Sequence, residues 1–248
     1  MKKVAIIQAR MGSTRLPGKV LLPLGGTTVL GCVVERLELC EALDEIVVAT
    51  SSLESDDAVV RECDRLGIRA LRGPAEDVLA RFAGAASETG AGIIVRITAD
   101  CPLIDGRLVN AMLEAFEGGR RACDYLSNTL IRTYPRGLDA EIFTNAGLQR
   151  CDAEARQEYE REHVTPYFYM HSERFVLRAY VDPSGADRSD MRWTLDTPED
   201  LAFFQAVYAE FYGRSPREIT TSAIIEVLER DPALRSINAG VRQKHLGA

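Results

Sequence analysis

Arg10, Arg15 and Lys19 place three cations within ten residues of a Gly/Ser/Thr/Pro-rich stretch, Gln8-Ala9-Arg10-Met11-Gly12-Ser13-Thr14-Arg15-Leu16-Pro17-Gly18-Lys19, with no acid among them. Held on one loop, such charges repel unless an anion neutralises them. A guanidinium grips phosphate oxygens in a planar fork, and an ammonium adds a point charge. Gly12 and Gly18 let the backbone approach a ligand closely. The stretch therefore reads as a polyphosphate-binding loop, against the plainer reading of a solvated surface turn. Two familiar phosphate patterns do not fit it. A P-loop has four residues between its first Gly and its Gly-Lys pair, then Ser or Thr. Here five residues separate Gly12 from Gly18, and Val20 follows Lys19. A Gly-x-Gly-x-x-Gly dinucleotide fingerprint is absent from the sequence.

Two acids stand where they could complete such a site. Asp100 follows the apolar run Ile93–Thr98 and precedes Cys101-Pro102. Asp196 follows Arg192–Leu195 and precedes Thr197-Pro198-Glu199-Asp200. Together they could hold Mg²⁺, a hard cation that favours carboxylates and substrate phosphates. Taken singly, Asp196 also reads as a helix-dipole partner and Asp100 as a turn residue before Pro.

The elements around these residues decide whether they meet. Val4–Ala9, Glu45–Thr50, Arg69–Leu71 and Ile93–Thr98 read as short strands. Between and after them, Thr28–Leu39, Ser55–Leu66, a segment with Val78, Leu79, Phe82 and Ala86 on one face, and a segment with Leu108, Val109, Met112, Leu113 and Phe116 read as helices. Strands alternating with helices predict βαβ units and a parallel sheet. Ligands bind at the carboxyl ends of such strands, which is where the basic loop and Asp100 fall. After about residue 122 the alternation stops. Asp124–Thr133, Arg136–Phe143, Phe175–Val181 and Arg192–Leu195 read as strands, with helices near 144–157, 160–170, 197–211 and 221–230. Thr197 as cap, Pro198 at the first helical position and acids in the first turn form a helix start. The expected organisation is one α/β domain over residues 1–248, with about 122–182 as an inserted α+β portion.

Composition narrows the classes. The 248 residues are 46% hydrophobic and 27% charged, which excludes a disordered chain. The net charge of −7 argues against a nucleic-acid partner. Yet the first acid is Glu35, and Lys2, Lys3, Arg10, Arg15 and Lys19 all precede it. Six cysteines include no Cys-x-x-Cys pair, and the three histidines lie far apart, which argues against a zinc site. No apolar run is long enough to span a membrane. A cytoplasmic protein is expected. The run Glu158-Tyr159-Glu160-Arg161-Glu162 reads as a solvated helix face, and Trp193 as a core residue.

The motif Ala9-Arg10-x4-Arg15-Leu16-Pro17-Gly18-Lys19 resembles the signature of the CMP-sugar synthetases, the cytidylyltransferases that activate 3-deoxy-manno-octulosonate and sialic-type acids, and most of all their spore-coat polysaccharide branch. Further stretches resemble the same branch: Arg72-Gly73-x3-Asp77-Val78-Leu79-x-Arg81, Asp100-x-Pro102-Leu103-Ile104-Asp105, Tyr134-Pro135-Arg136-Gly137-Leu138-Asp139-x-Glu141, Arg161-Glu162-His163-Val164-Thr165-Pro166-Tyr167 and Arg192-Trp193-Thr194-Leu195-Asp196-Thr197-Pro198-Glu199-Asp200. The resemblance implies a three-layer α/β/α nucleotide-diphospho-sugar transferase fold of Rossmann-like type, usually a homodimer, with 122–182 as its acceptor and dimerisation portion. It implies CTP and a small acidic acceptor as substrates, and Mg²⁺, or Mn²⁺, as the metal. Arg10, Arg15 and Lys19 match its triphosphate positions, and Asp100 and Asp196 its metal positions. Ala9, Gly12, Ser13, Thr50, Arg72, Gly73, Arg81 and Thr98 lie in stretches that line its nucleotide pocket. Arg136, Glu141 and His163 fall in its acceptor region. One departure leaves the acceptor open: the octulosonate enzymes carry Gln-Gly-Asp-Glu-Pro where this chain has Thr98-Ala99-Asp100-Cys101-Pro102. Two other readings stay in view, a glycosyltransferase on the same fold and a non-catalytic nucleotide-binding protein.

Overall fold

The apolar run after Lys2 becomes the central strand because both of its faces are covered. In the computed structural model, which describes residues 1–119 and 122–243, Val4, Ala5, Ile6 and Ile7 of β1 (Lys3–Gln8) are all fully buried. The short hairpin β2 (Pro23–Leu24) and β3 (Thr27–Thr28) follows, then α1 (Val29–Leu37), capped by the Thr28 side chain. Next come β4 (Glu45–Ser51), α2 (Asp57–Leu66), β5 (Arg69–Gly73), α3 (Val78–Thr89), β6 (Ile93–Thr98) and α4 (Gly106–Glu117). The remainder is β7 (Tyr125–Ser127), β8 (Glu141–Thr144), α5 (Asn145–Glu154), α6 (Glu158–His163), α7 (Pro166–Met170), β9 (Leu177–Ala179), α8 (Pro198–Ala209), α9 (Thr221–Arg230) and α10 (Pro232–Ser236).

The strands form a seven-stranded sheet in the order β5-β4-β1-β6-β8-β7-β9. β5, β4, β1 and β6 are parallel, and β8 runs antiparallel to both β6 and β7. Residues along β1 alternate between two cores, as a pleated strand requires. Ala5 and Ile7 pack with Leu30, Val33 and Leu37 of α1 and with Val109, Met112 and Leu113 of α4. Val4 and Ile6 pack with Val78, Leu79 and Phe82 of α3 and with Leu148 of α5. A third cluster gathers Trp193, Phe203, Phe204, Val207, Ile224 and Leu228 beneath α8 and α9. The fold is a mixed α/β fold with a mostly parallel sheet and helices on both faces.

Three expectations change. Residues after 122 extend the main sheet, because β8 pairs directly with β6. The expected strands Asp124–Thr133 and Arg136–Phe143 shorten to Tyr125–Ser127 and Glu141–Thr144. Arg192–Leu195 is no strand. It touches its neighbour through a single parallel bridge, Arg136 to Arg192. All six cysteines are buried and unpaired. Among the described residues, no helix is long and apolar enough to cross a membrane.

Candidate active site at the strand ends

The register of the central strands sets the site. Gln8, the last residue of β1, pairs with Thr98, the last residue of β6, and with Ala49 on the other side. The basic loop and the Asp100 turn therefore leave the sheet side by side. The loop folds back on itself, with Gly18 N–H and Ser13 N–H both donating to the Met11 carbonyl. Met11 N–H donates to Asp56 at 2.7 Å, which ties the loop to the start of α2, and Asp56 in turn accepts from Ser51 at the end of β4. Gly18 has φ +67°, a left-handed turn that favours glycine, and the next residue is Lys19, the first of a single 3-10 turn.

Asp196 arrives by another route. The Arg136 N–H donates to the Met191 carbonyl at 2.9 Å, the Trp193 N–H to the Arg136 carbonyl at 2.6 Å and the Leu195 N–H to the Asp100 carbonyl at 2.8 Å. Those bonds lay the segment 191–196 against the Asp100 turn without making it a strand. Gly137 makes the approach possible. Its φ is +106°, and a Cβ there would lie 1.9 Å from the Trp193 carbonyl oxygen. Beyond Asp196, Thr197 and Asp200 form a reciprocal capping box that starts α8.

Lys19 stands between the two acids. Its Nζ donates to Asp100 Oδ2 at 2.7 Å, to Asp196 Oδ1 at 2.9 Å and to the Leu195 carbonyl at 2.7 Å. Burial alone would lower the Lys19 pKa, but the two carboxylates outweigh it and hold it above its ordinary 10.5. Burial alone would raise Asp196, but Lys19, Arg192 and Arg15 outweigh it and leave its pKa below 3.8. Arg15 reaches Asp196 Oδ2 at 3.2 Å. Arg10, by contrast, makes no ion pair or hydrogen bond through its side chain among the described residues. It lines a cavity of about 250 Å³ with Gly12, Ser13, Arg15, Lys19, Thr98 and Asp100. Ala9 is buried against the core.

No group of three or more His, Cys, Asp or Glu side chains among the described residues is arranged to hold a metal ion. Asp100 and Asp196 form a pair of carboxylates that face one another across Lys19. The pair fits a hard divalent cation, because the two carboxylate oxygens already converge on one ammonium. Mg²⁺ typically takes one or two protein carboxylates and completes its shell with phosphate oxygens and water.

A second, larger cavity of about 1140 Å³ adjoins Thr98. Arg96, Arg132, Arg136, His163, Tyr169 and Gln243 are among its lining residues. Arg132 is already paired with Asp139. Arg136 has no side-chain partner among the described residues, and burial, then Arg132 and Arg192, lower its pKa from the ordinary arginine value. His163 is half-exposed. Its pKa lies below 6.5, first through burial and then through nearby Arg96 and Arg10. Its ring is neutral at pH 7.

Several expected site residues also make contacts within the protein. Glu141 lines the cavity, but Tyr125 and Thr165 donate to its Oε1 at 2.5 and 2.6 Å, and Arg96 pairs with its Oε2. These three side chains fix the orientation of its carboxylate on the cavity wall, and the carboxylate in turn holds Arg96. Arg72 donates to Asp57 at 2.6 Å and to the carbonyls of Ser51 and Leu53. Those bonds hold it against the start of α2 and not in either cavity. Gly73 packs against the Arg81 side chain. Arg81 is buried, with its Nη1 donating to the carbonyls of Pro74 and Ala75 and no partner for its Nε or Nη2. Thr50 is buried with an unpartnered hydroxyl. The acidic run is no simple solvated face either: Glu160 is buried in the capping box of α6, and Arg161 holds Asp77 and Asp152.

Sequence reasoning missed two residues that shape the site. Arg192 donates to Asp196 Oδ2 at 2.9 Å, and through Nε and Nη2 to both oxygens of Asp200 at 3.0 Å. Asp200 is fully buried. The available signal is their spacing of four residues from Asp196 on either side, in a stretch where Arg192 reads as a strand start and Asp200 as a first-turn acid.

The profile of the cytidylyltransferase family matches residues 4–219. A cytidylyltransferase structure from Leptospira borgpetersenii serovar Hardjo-bovis is 37% identical, covers 99% of this chain and 100% of its own, and superposes with a TM-score of 0.90. The spore coat polysaccharide biosynthesis protein SpsF of Bacillus subtilis is 35% identical over 233 residues, covering 92% of this chain and 94% of its own. The fold also matches a CMP:2-keto-3-deoxy-manno-octonic acid synthetase solved in complex with CTP, at 21% identity, a TM-score of 0.66, and 85% and 100% coverage. The family profile spans most of the chain, and the Leptospira and Bacillus relatives, each above 30% identity, cover nearly all of it: this chain belongs to the cytidylyltransferase family.

Proposed function

We propose that the protein transfers CMP from CTP to a small acidic acceptor, such as an acidic sugar, and releases pyrophosphate, in the biosynthesis of a surface polysaccharide or glycoconjugate. One observation carries the reading: Lys19 joins Asp100 and Asp196 at the mouth of a loop whose other cations are Arg10 and Arg15. That arrangement suits a triphosphate together with a divalent ion. In the reaction, an acceptor oxygen attacks the α-phosphorus of CTP, and the bond to the departing pyrophosphate breaks. Arg10, Arg15 and Lys19 hold the triphosphate and neutralise charge on the leaving group, so catalysis is mainly positioning and electrostatic stabilisation. Mg²⁺ or Mn²⁺, held by Asp100 and Asp196, would supply a Lewis acid that offsets phosphate charge and lowers the pKa of an attacking oxygen.

Gly12, Ser13 and Thr98 line the phosphate end of the nucleotide pocket in this reading. Ala9, Thr50, Gly73 and Arg81 shape its nucleoside end. Arg136, unpaired on the wall of the larger cavity, takes the carboxylate of the acceptor. His163, neutral at pH 7, helps orient it. The reading includes a cytoplasmic enzyme that works as a homodimer through the portion 122–182 of a single domain.

A pyrophosphate-release screen of four nucleoside triphosphates against keto-acids, sugar phosphates and phosphonates tests this. Release with CTP and an acidic acceptor is expected. Sugar transfer from a nucleotide-sugar, with no pyrophosphate from any combination, would overturn it.

A further inference from the structure

The segment after α10 reaches back to the site. α10 starts with Asp231 as its cap and Pro232 at its first position, and it packs on α8 and α9. Arg235 pairs with Asp190 at 2.6 Å, which pins this helix beside the segment that carries Arg192 and Asp196. Two residues beyond the helix then engage Arg192 directly. Asn238 is buried, and its Nδ2 donates to Asp200 Oδ1 at 3.0 Å and to the Arg192 carbonyl at 3.2 Å. Gln243 accepts from Arg192 Nη1 at 2.6 Å and also lines the larger cavity.

Arginine carries donors only. The Gln243 oxygen must therefore face Arg192, and its position is set by that bond. Each donor nitrogen of Arg192 has a fixed acceptor: Nε on Asp200, Nη2 shared between Asp200 and Asp196, and Nη1 on Gln243. Burial would lower the Arg192 pKa, but Asp200 and Asp196 outweigh it, so the group stays charged. A planar guanidinium held at three nitrogens cannot swing, and the Asp196 oxygen it bonds is held with it. Outer partners of this kind orient the carboxylates of metal sites and tune their affinity. Both Asn238 and Gln243 lie beyond the family-matched residues 4–219.

We propose that Asn238 and Gln243 are positioning residues: through Arg192 and Asp200 they hold Asp196 in the orientation in which it and Asp100 receive the divalent cation. The inference rests on the reading of Asp196 as a metal carboxylate, and its test separates the two. Mn²⁺ binding to the whole protein, followed by electron paramagnetic resonance of the free ion, is compared for the wild type and the Gln243→Ala, Gln243→Glu, Asn238→Ala and Asp196→Asn variants. Thermal midpoints are measured on the same samples. Asp196→Asn should weaken Mn²⁺ at least tenfold. Gln243→Ala and Asn238→Ala should each weaken it about three- to tenfold, below the range for direct second partners. Gln243 is exposed at the surface, so its replacement should leave the thermal midpoint nearly unchanged. Gln243→Glu keeps an acceptor for Arg192 and should bind Mn²⁺ at or above the wild-type level. If Asp196→Asn loses Mn²⁺ while both alanine variants bind like the wild type, the positioning role is overturned. Wild type and Asp196→Asn binding equally, or no uptake by the wild type, would overturn the metal reading beneath it.

Discussion

Lys19, Asp100, Asp196, Arg15 and Arg192 form one chain of charges in which every acid has a cationic partner. Its pH behaviour follows from the shifts. The folded protein holds the Asp196 proton less tightly than the unfolded chain does, because its pKa lies below the ordinary 3.8. Stability from this group is therefore present above pH 3.8 and is lost as the pH falls through the folded value. In metal-free buffer, Asp196→Asn should be less stable than the wild type at pH 6, by about 1.5–3 kcal/mol for its charged hydrogen bonds. The gap should close below pH 3.8, as read by urea unfolding across the acid range. A gap that does not change with pH would show that the carboxylate is not held by these cations. At this scale the sequence was informative where charge was unbalanced. Three cations with no nearby acid pointed to Arg10, Arg15 and Lys19. For Glu141, which the resemblance puts in the acceptor region, nothing in a linear string reveals that Tyr125, Thr165 and Arg96 contact both of its oxygens.

Elements were legible where local chemistry decides them. β1, β4 and β6 are apolar runs with covered faces, and α8 announces itself by Thr197, Pro198 and Asp200. The segment 191–196 was not legible as a bridge, because its shape comes from Gly137, more than fifty positions earlier. That glycine lets the Arg136 and Trp193 backbones meet. Gly137→Ala should thus cost about 2 kcal/mol or more, since it adds both a left-handed strain and a clash with backbone that cannot move aside. Urea unfolding measures the loss. A variant as stable as the wild type would mean that the 191–196 segment can shift without penalty. The short β7 and β8 were misjudged for a related reason. Strand length depends on the partner, and β8 pairs with β6 over only four residues.

For the whole molecule, the net charge of −7 argues against a nucleic-acid reading, while the five early cations single out the basic loop after β1 as the place where the proposed triphosphate would bind. Sheet order then explains why that loop matters. β1 lies between β4 and β6, so its loop opens onto the turn carrying Asp100. The larger cavity could not be read from the sequence, because Arg96, Arg132, Arg136, His163 and Gln243 are scattered over some 150 positions and none is unusual alone. In the proposed reading the acceptor enters this cavity, and screening identifies it. The nucleotide side is sharper. Asp100 bears on the fold lightly, since Lys19 keeps Asp196 and the Leu195 carbonyl without it. The central claim is therefore tested most directly by CTP-dependent pyrophosphate release from Asp100→Ala, with circular dichroism and the thermal midpoint measured alongside. The account predicts release at background with an intact fold. Turnover at the wild-type rate by a folded Asp100→Ala protein would contradict it.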